Sequence, residues 1–125
     1  MMYIGIVGSR KRNSNKDYQL VKQHILLFKR EFPITLVSGG AKGIDSIAKK
    51  IANELNIPII EFLPNKSEYT YKGNGIYFER NKQIAETSDY LLAYPINNSG
   101  GTMNTVKFFI KLGKKENLRI FNKNL

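Results

Sequence analysis

The sequence predicts an α/β domain: a three-layer, Rossmann-like, doubly wound parallel sheet of about five strands in the order 3-2-1-4-5. Three observations predict it. Short β-branched runs alternate with helix-length amphipathic segments, glycine-rich turns follow the first, second and fourth strands, and 125 residues suffice for one domain with one core. Strands that alternate with helices are joined by right-handed crossovers, which makes them parallel and places helices on both faces.

Tyr3-Ile4-Gly5-Ile6-Val7-Gly8 is an apolar run of the kind buried on both faces of a sheet, and it is the first strand. Between Asn15 and Phe32, Val21, Ile25, Phe28 and Phe32 recur at helical spacing, Leu20 and Leu27 widen the stripe, and Pro33 stops the helix. Ile34 to Ser38 is the second strand, broken at Gly39-Gly40. Ile44, Ile47, Ala48, Ile51, Ala52 and Leu55 mark a second helix, and Ile57 to Leu63 a third strand with Pro58 near its start, where a missing N–H is tolerable.

Residues 64–75 form one long polar loop. Ile76 to Thr87 is predicted as a third helix, Asp89 to Tyr94 as a fourth strand, Thr102 to Leu112 as a fourth helix ended by Gly113, and Leu118 to Phe121 as a fifth strand. Residues 1–125 make a single domain.

Composition narrows the function classes. There is no cysteine, hence no disulfide framework, zinc-ribbon spacing or thiol nucleophile, and an intracellular, cytoplasmic setting is expected. The N-terminal apolar run meets Ser9-Arg10-Lys11-Arg12 too soon to span a bilayer or act as a signal peptide. Twenty Lys and Arg against ten Asp and Glu give a net charge of +10, which attracts polyanions or is a lysine-rich solvated exterior. Residues 1–30 hold seven of those cations against Asp17 alone.

The chemistry is expected at the crevice where the connections from strands one and four diverge. Gly8-Ser9-Arg10, Ser38-Gly39-Gly40-Ala41-Lys42-Gly43 and Ser99-Gly100-Gly101-Thr102 should meet there and cradle a phosphate with backbone amides and helix N-termini. Neither a Walker A motif nor G-x-G-x-x-G occurs, which disfavours a P-loop hydrolase and a simple dehydrogenase.

Arg10 is a surface charge or a guanidinium that forks onto a phosphate, and Arg80-Asn81 offers a second guanidinium with an amide for a sugar or base. Asp45 compensates the second helix's dipole or contacts ligand hydroxyls. Tyr69, Tyr71, Tyr77 and Phe78 cover the sheet edge or stack a base. His24, the only histidine, falls mid-helix and remote from the glycine turns. No catalytic residue and no metal site is assigned.

Gly8-Ser9-Arg10, then Val37 to Asp45 followed by Ala48, then Arg80-Asn81 with Ile84-Ala85, then Ser99 to Thr102 followed by Thr105, resembles the SLOG superfamily over almost the whole chain. Within it the pattern is similar to the DprA/Smf Rossmann domain and to the small stand-alone YspA-like proteins, which the chain length fits better. The resemblance implies a nucleotide-type ligand on the glycine turns and a homodimer. No cofactor is expected to be required, beyond a nucleotide that could be bound. In the DprA-like branch it implies single-stranded DNA, with Arg10, Lys42 and Arg80 on phosphates. The more distant LOG phosphoribohydrolases carry a glutamate three residues after their Gly-Thr. Here that position is Thr105, so the carboxylate for N-glycosidic hydrolysis is missing. Three readings stand: a nucleotide-binding module, a single-stranded DNA binder, and, disfavoured by Thr105, a glycosidic hydrolase.

Overall fold

A computed structural model describes residues 1–64 and 75–125, apart from the side chain of Ile76. Tyr69 and Tyr71 lie outside the described residues. Five strands, β1 (Met2–Gly8), β2 (Ile34–Ser38), β3 (Ile59–Glu61), β4 (Tyr90–Tyr94) and β5 (Leu118–Ile120), form one sheet in the order β3-β2-β1-β4-β5. All neighbours pair in parallel. The fold class and strand order are those the sequence predicts.

The period of two along each strand sorts the core into two layers. Ile4 and Ile6 of β1, Leu36 of β2, and Leu92 and Tyr94 of β4 pack with Val21 and Ile25 of α1 (Asn15–Glu31) and with Ile47, Ala48 and Ile51 of α2 (Ile44–Leu55). Val7, Val37, Leu91 and Ala93 point the other way, to Ile84 and Ala85 of α3 (Gly75–Thr87) and to Val106 and Phe109 of α4 (Gly100–Lys111). The chain therefore winds one way through α1 and α2, and the other through α3 and α4. The switch falls between β1 and β4, where an open sheet leaves its crevice.

Local sequence fixes the helix ends. Ser14 caps α1 and receives the Asp17 N–H at 3.1 Å, while the Asp17 carboxylate takes the Ser14 N–H at 3.3 Å, a reciprocal capping box. Asn56 ends α2 in the left-handed conformation. Lys114, just past α4, donates to the carbonyls of Ala85, Glu86 and Ser88 at 3.1, 3.2 and 2.9 Å and so closes the C-terminus of α3.

Several boundaries differ from the sequence reading. The third strand is three residues rather than Ile57 to Leu63, because β3 is an edge strand with only β2 beside it. Helix α4 begins at Gly100, not Thr102, so two glycines predicted as turn become its first residues. Leu27 does not widen the buried stripe. It sits about 200° around the helix from Ile25 and is 48% exposed.

Candidate functional site

The loop after β1, the β4–α4 connection, the start of α2 and the first half of α3 enclose a cleft of about 840 Å³ at the switch point. Among the expected site residues, Gly8, Ser9, Arg10, Asp45, Arg80, Asn81, Ser99, Gly100, Gly101 and Thr102 line it.

Helix α4 supplies the open donors. The first N–H groups of a helix have no intrahelical acceptor, and Ser99 provides no side-chain cap. Its hydroxyl instead donates to Ile96 O at 2.8 Å. Among the described residues a side chain added at Gly100 would meet nothing within 4 Å, and one at Gly101 only Asn81 Nδ2 at 3.9 Å. The partial positive charge of α4 is thus presented bare to the cleft.

Ser38, Gly39, Gly40, Lys42 and Gly43, expected in the site, are not among the residues that line the cleft; their turn contributes Ala41. Gly39 gives its carbonyl to Arg80 Nη1 at 2.7 Å, and any β-carbon there would overlap that guanidinium. Gly43, at φ +71, lets the start of α2 pack on the β1 loop, where a β-carbon would overlap Ser9 O. Ile44 N donates to Ser9 O at 3.3 Å, Ala41 N to Asp45 Oδ2 at 3.1 Å and Gly40 N to Ser38 Oγ at 3.4 Å, so these amides are spent inside the protein. Lys42 is exposed outside the cleft. The β1 loop likewise spends its Ser9 N–H on Tyr94 O at 3.0 Å, and brings the Arg10 and Lys11 side chains to the cleft lining.

Arg80 is buried yet lines the cleft. Its Nε donates to Asn81 Oδ1 at 2.9 Å, which with the Gly39 bond fixes the guanidinium plane; among the described residues its other N–H groups have no acceptor. Burial lowers its pKa from the ordinary arginine value, as does the Arg10 charge, while Asp45 and Tyr77 oppose the shift. Arg10 and Arg80 lie at 6.0 and 5.9 Å from the Tyr77 ring centroid, so two cations share one aromatic ring in the cleft lining. Phe78 lines the same cleft and is half exposed.

Asn81 braces the site. Its Nδ2 reaches Asn104 Oδ1 at 3.0 Å and Gly101 O at 3.5 Å, tying α3 to the first turn of α4. Asn104 gave no signal in the sequence, since one asparagine early in a helix has no periodic partner. Thr105 is buried and donates from Oγ1 back to Gly101 O at 3.3 Å.

Asp45 is 6% exposed, and its Oδ1 has no hydrogen-bond partner among the described residues. Burial pushes its carboxyl up from the usual range, and the Ala41 amide, the Arg80 charge, the Ser38 hydroxyl and the Arg10 charge oppose that without cancelling it.

Two residues stand elsewhere. Arg12, counted as a surface cation from sequence, is buried, with Nε 3.0 Å from Asp17 Oδ1 and Nη1 donating to Pro95 O at 3.2 Å and to Phe121 O. It clamps the β1 loop to the β4–α4 connection. His24 lies outside the cleft, with Nδ1 2.9 Å from the Tyr94 hydroxyl and its ring stacked on Phe121 at 4.1 Å.

The profile of the DNA recombination-mediator protein A family matches residues 1–76. The chain belongs to that family. The recombination-mediator match spans β1 to the start of α3, and solved structures extend the likeness over the remainder as a fold. The X-ray structure of DNA processing protein A (DprA) from Streptococcus pneumoniae has a TM-score of 0.73 at 20% identity, covering 98% of this chain and 50% of that one. The DprA of Helicobacter pylori, a structure described for its single-stranded DNA binding mode, has a TM-score of 0.70 at 21% identity, covering 97% and 64%. The structural-genomics protein TM1055 has a TM-score of 0.65 at 14% identity, covering 98% and 92%. This family member therefore spans half to two thirds of the length of the two DprA chains. A search of the curated proteins finds no match. Among the described residues no helix is long and apolar enough to cross a membrane.

Proposed function

We propose that this chain binds single-stranded DNA by drawing one nucleotide into the cleft, its phosphate toward the first turn of α4 and its base toward Tyr77. One observation carries the reading: the uncapped start of α4, with two glycines that leave it unobstructed, shares its cleft with the Arg10 and Arg80 guanidiniums. Bare amides at a positive helix terminus favour a phosphoryl group, and a guanidinium fixed by its own hydrogen bonds adds charge at no ordering cost. The net charge of +10 steers a polyanion toward that rim. Family membership and the fold shared with DprA proteins, one of them described for single-stranded DNA binding, support the polymer as ligand.

A free nucleotide is the second reading, favoured by the volume of the cleft, about 840 Å³, which is that of a small-molecule site. Polarisation titration of a labelled single strand over a salt series separates the two. A strand that engages several cations loses affinity steeply with salt, with a slope of about −0.7 per phosphate neutralised. Arg10→Ala should weaken binding by about 1–3 kcal/mol and flatten that slope by about 0.7. Tight binding of mononucleotides with no affinity for the strand would leave only the second reading, and unchanged affinity in Arg10→Ala would remove Arg10 from the site.

A further inference from the structure

Asp45 offers the cleft an acceptor that the phosphate-binding elements do not need. Asp45 lines the cleft but is more than nine-tenths buried; Oδ2 is held by the Ala41 N–H at 3.1 Å, and Oδ1 is buried with no hydrogen-bond partner among the described residues. A buried polar atom left unpaired is costly, so an orphan on a residue that lines a cleft marks where a ligand atom completes the pairing. The completing atom must carry a proton, because a carboxylate and a phosphate repel each other. It is also a single donor. With Oδ2 occupied, Asp45 cannot present both oxygens to a two-donor base edge. Among the parts of a nucleotide, a sugar hydroxyl is the single neutral donor that stands within a few bonds of the phosphate.

We infer that Asp45 Oδ1 accepts a hydrogen bond from a free sugar hydroxyl of the nucleotide in the cleft. This rests on the reading above that a nucleotide occupies it. An internal DNA residue has no such hydroxyl, since both its sugar oxygens are esterified. The site therefore prefers a hydroxyl-bearing unit, which is either a strand end with a free 3′- or 5′-hydroxyl or a free nucleotide. It discriminates against strand interiors and against sugars stripped of their hydroxyls.

The test compares 5′-phosphorylated single strands of one sequence ending in a 3′-hydroxyl, a 3′-phosphate or a 2′,3′-dideoxy sugar, together with a circular single strand. A second arm uses adenosine monophosphate with its 2′-deoxy and 2′,3′-dideoxy analogues, and the deoxynucleotides of the other three bases. Loss of the hydroxyl should weaken binding to the wild type by about tenfold, the worth of one hydrogen bond to a charged group. That discrimination should vanish in Asp45→Ala and shrink in Asp45→Asn, which keeps the Ala41 bond if the alanine variant does not fold. Equal affinity for dideoxy, circular and hydroxyl-ended strands overturns the inference and leaves the DNA reading standing. Hydroxyl-dependent binding of mononucleotides without DNA binding supports the inference and removes the DNA reading. Affinity that follows the base and ignores the sugar overturns the inference, and binding of no nucleotide at all overturns both.

Discussion

Replacing Arg12 by methionine removes the cation from a buried pair and leaves the hydrocarbon of the side chain roughly in place. Arg12 and Asp17 are each 5% exposed and meet at 3.0 Å. Removing one partner of such a pair typically costs about 3–5 kcal/mol. The lower part of that range applies, because Asp17 keeps the Ser14 hydroxyl at 2.9 Å and the Ser14 amide at 3.3 Å. A loss of about 3–4 kcal/mol with a urea slope near 2 kcal/mol/M moves the unfolding midpoint down by roughly 1.5–2 M. The Arg12→Met/Asp17→Asn double variant should be less destabilised than the two singles summed, by more than about 0.5 kcal/mol.

The pH dependence carries the same signature. Burial raises the Asp17 pKa, but hydrogen bonds from Ser14 and Arg12 and the Arg12 charge outweigh it, so the net shift is downward. A depressed folded-state pKa stabilises above the unfolded value of about 3.9 and is lost as pH falls through the folded value. Wild type should therefore lose part of its stability in acid, and Arg12→Met should lose less over the same interval. Urea titrations of the four proteins at neutral pH and near pH 3 measure both effects. Additive losses, or identical acid sensitivity with and without Arg12, would refute the reasoning.

Gly43→Ala should cost roughly 2 kcal/mol or more, because alanine must adopt φ +71 and its β-carbon overlaps Ser9 O; a thermal melt within a degree of wild type would contradict this. Lys114→Met should remove about 1–2 kcal/mol by leaving three carbonyls at the end of α3 without their cation, with amide hydrogen exchange rising first at Glu86 to Ser88. Asp45→Asn should raise the midpoint of the unliganded protein at pH 7. The raised folded-state pKa of Asp45 favours the protonated form and penalises folding once the group ionises, so the gain should fade below about pH 4, where both side chains are neutral.

The sheet and its crevice were legible because they follow from repeated local signals. Runs such as Ile34 to Ser38, the amphipathic spacing in α2, and glycines after strands each report on a few adjacent residues, and parallel crossovers then admit few topologies. That Arg10, Arg80 and Gly100 lie at this crevice was legible for the same reason, since the crossovers place their elements there. What escaped depends on distant partners. Gly39 and Gly43 read as turns open to a ligand, but one accommodates Arg80 from 41 residues away and the other the β1 loop. Arg12 reads as one of a basic cluster until Asp17, Pro95 and Phe121 converge on it. Asn104 becomes visible only once α3 and α4 are packed together.

Backbone amide chemical shifts, followed by nuclear magnetic resonance as a short single-stranded oligonucleotide is added, test the phosphate site most directly. The account predicts the largest displacements at Gly100, Gly101 and Thr102, with Ser9 and Arg10 next, and loss of the α4 response in Arg10→Ala at the same oligonucleotide concentration. Displacements spread over the exposed lysines of α1 and α2, with Gly100 and Gly101 unmoved, would contradict it.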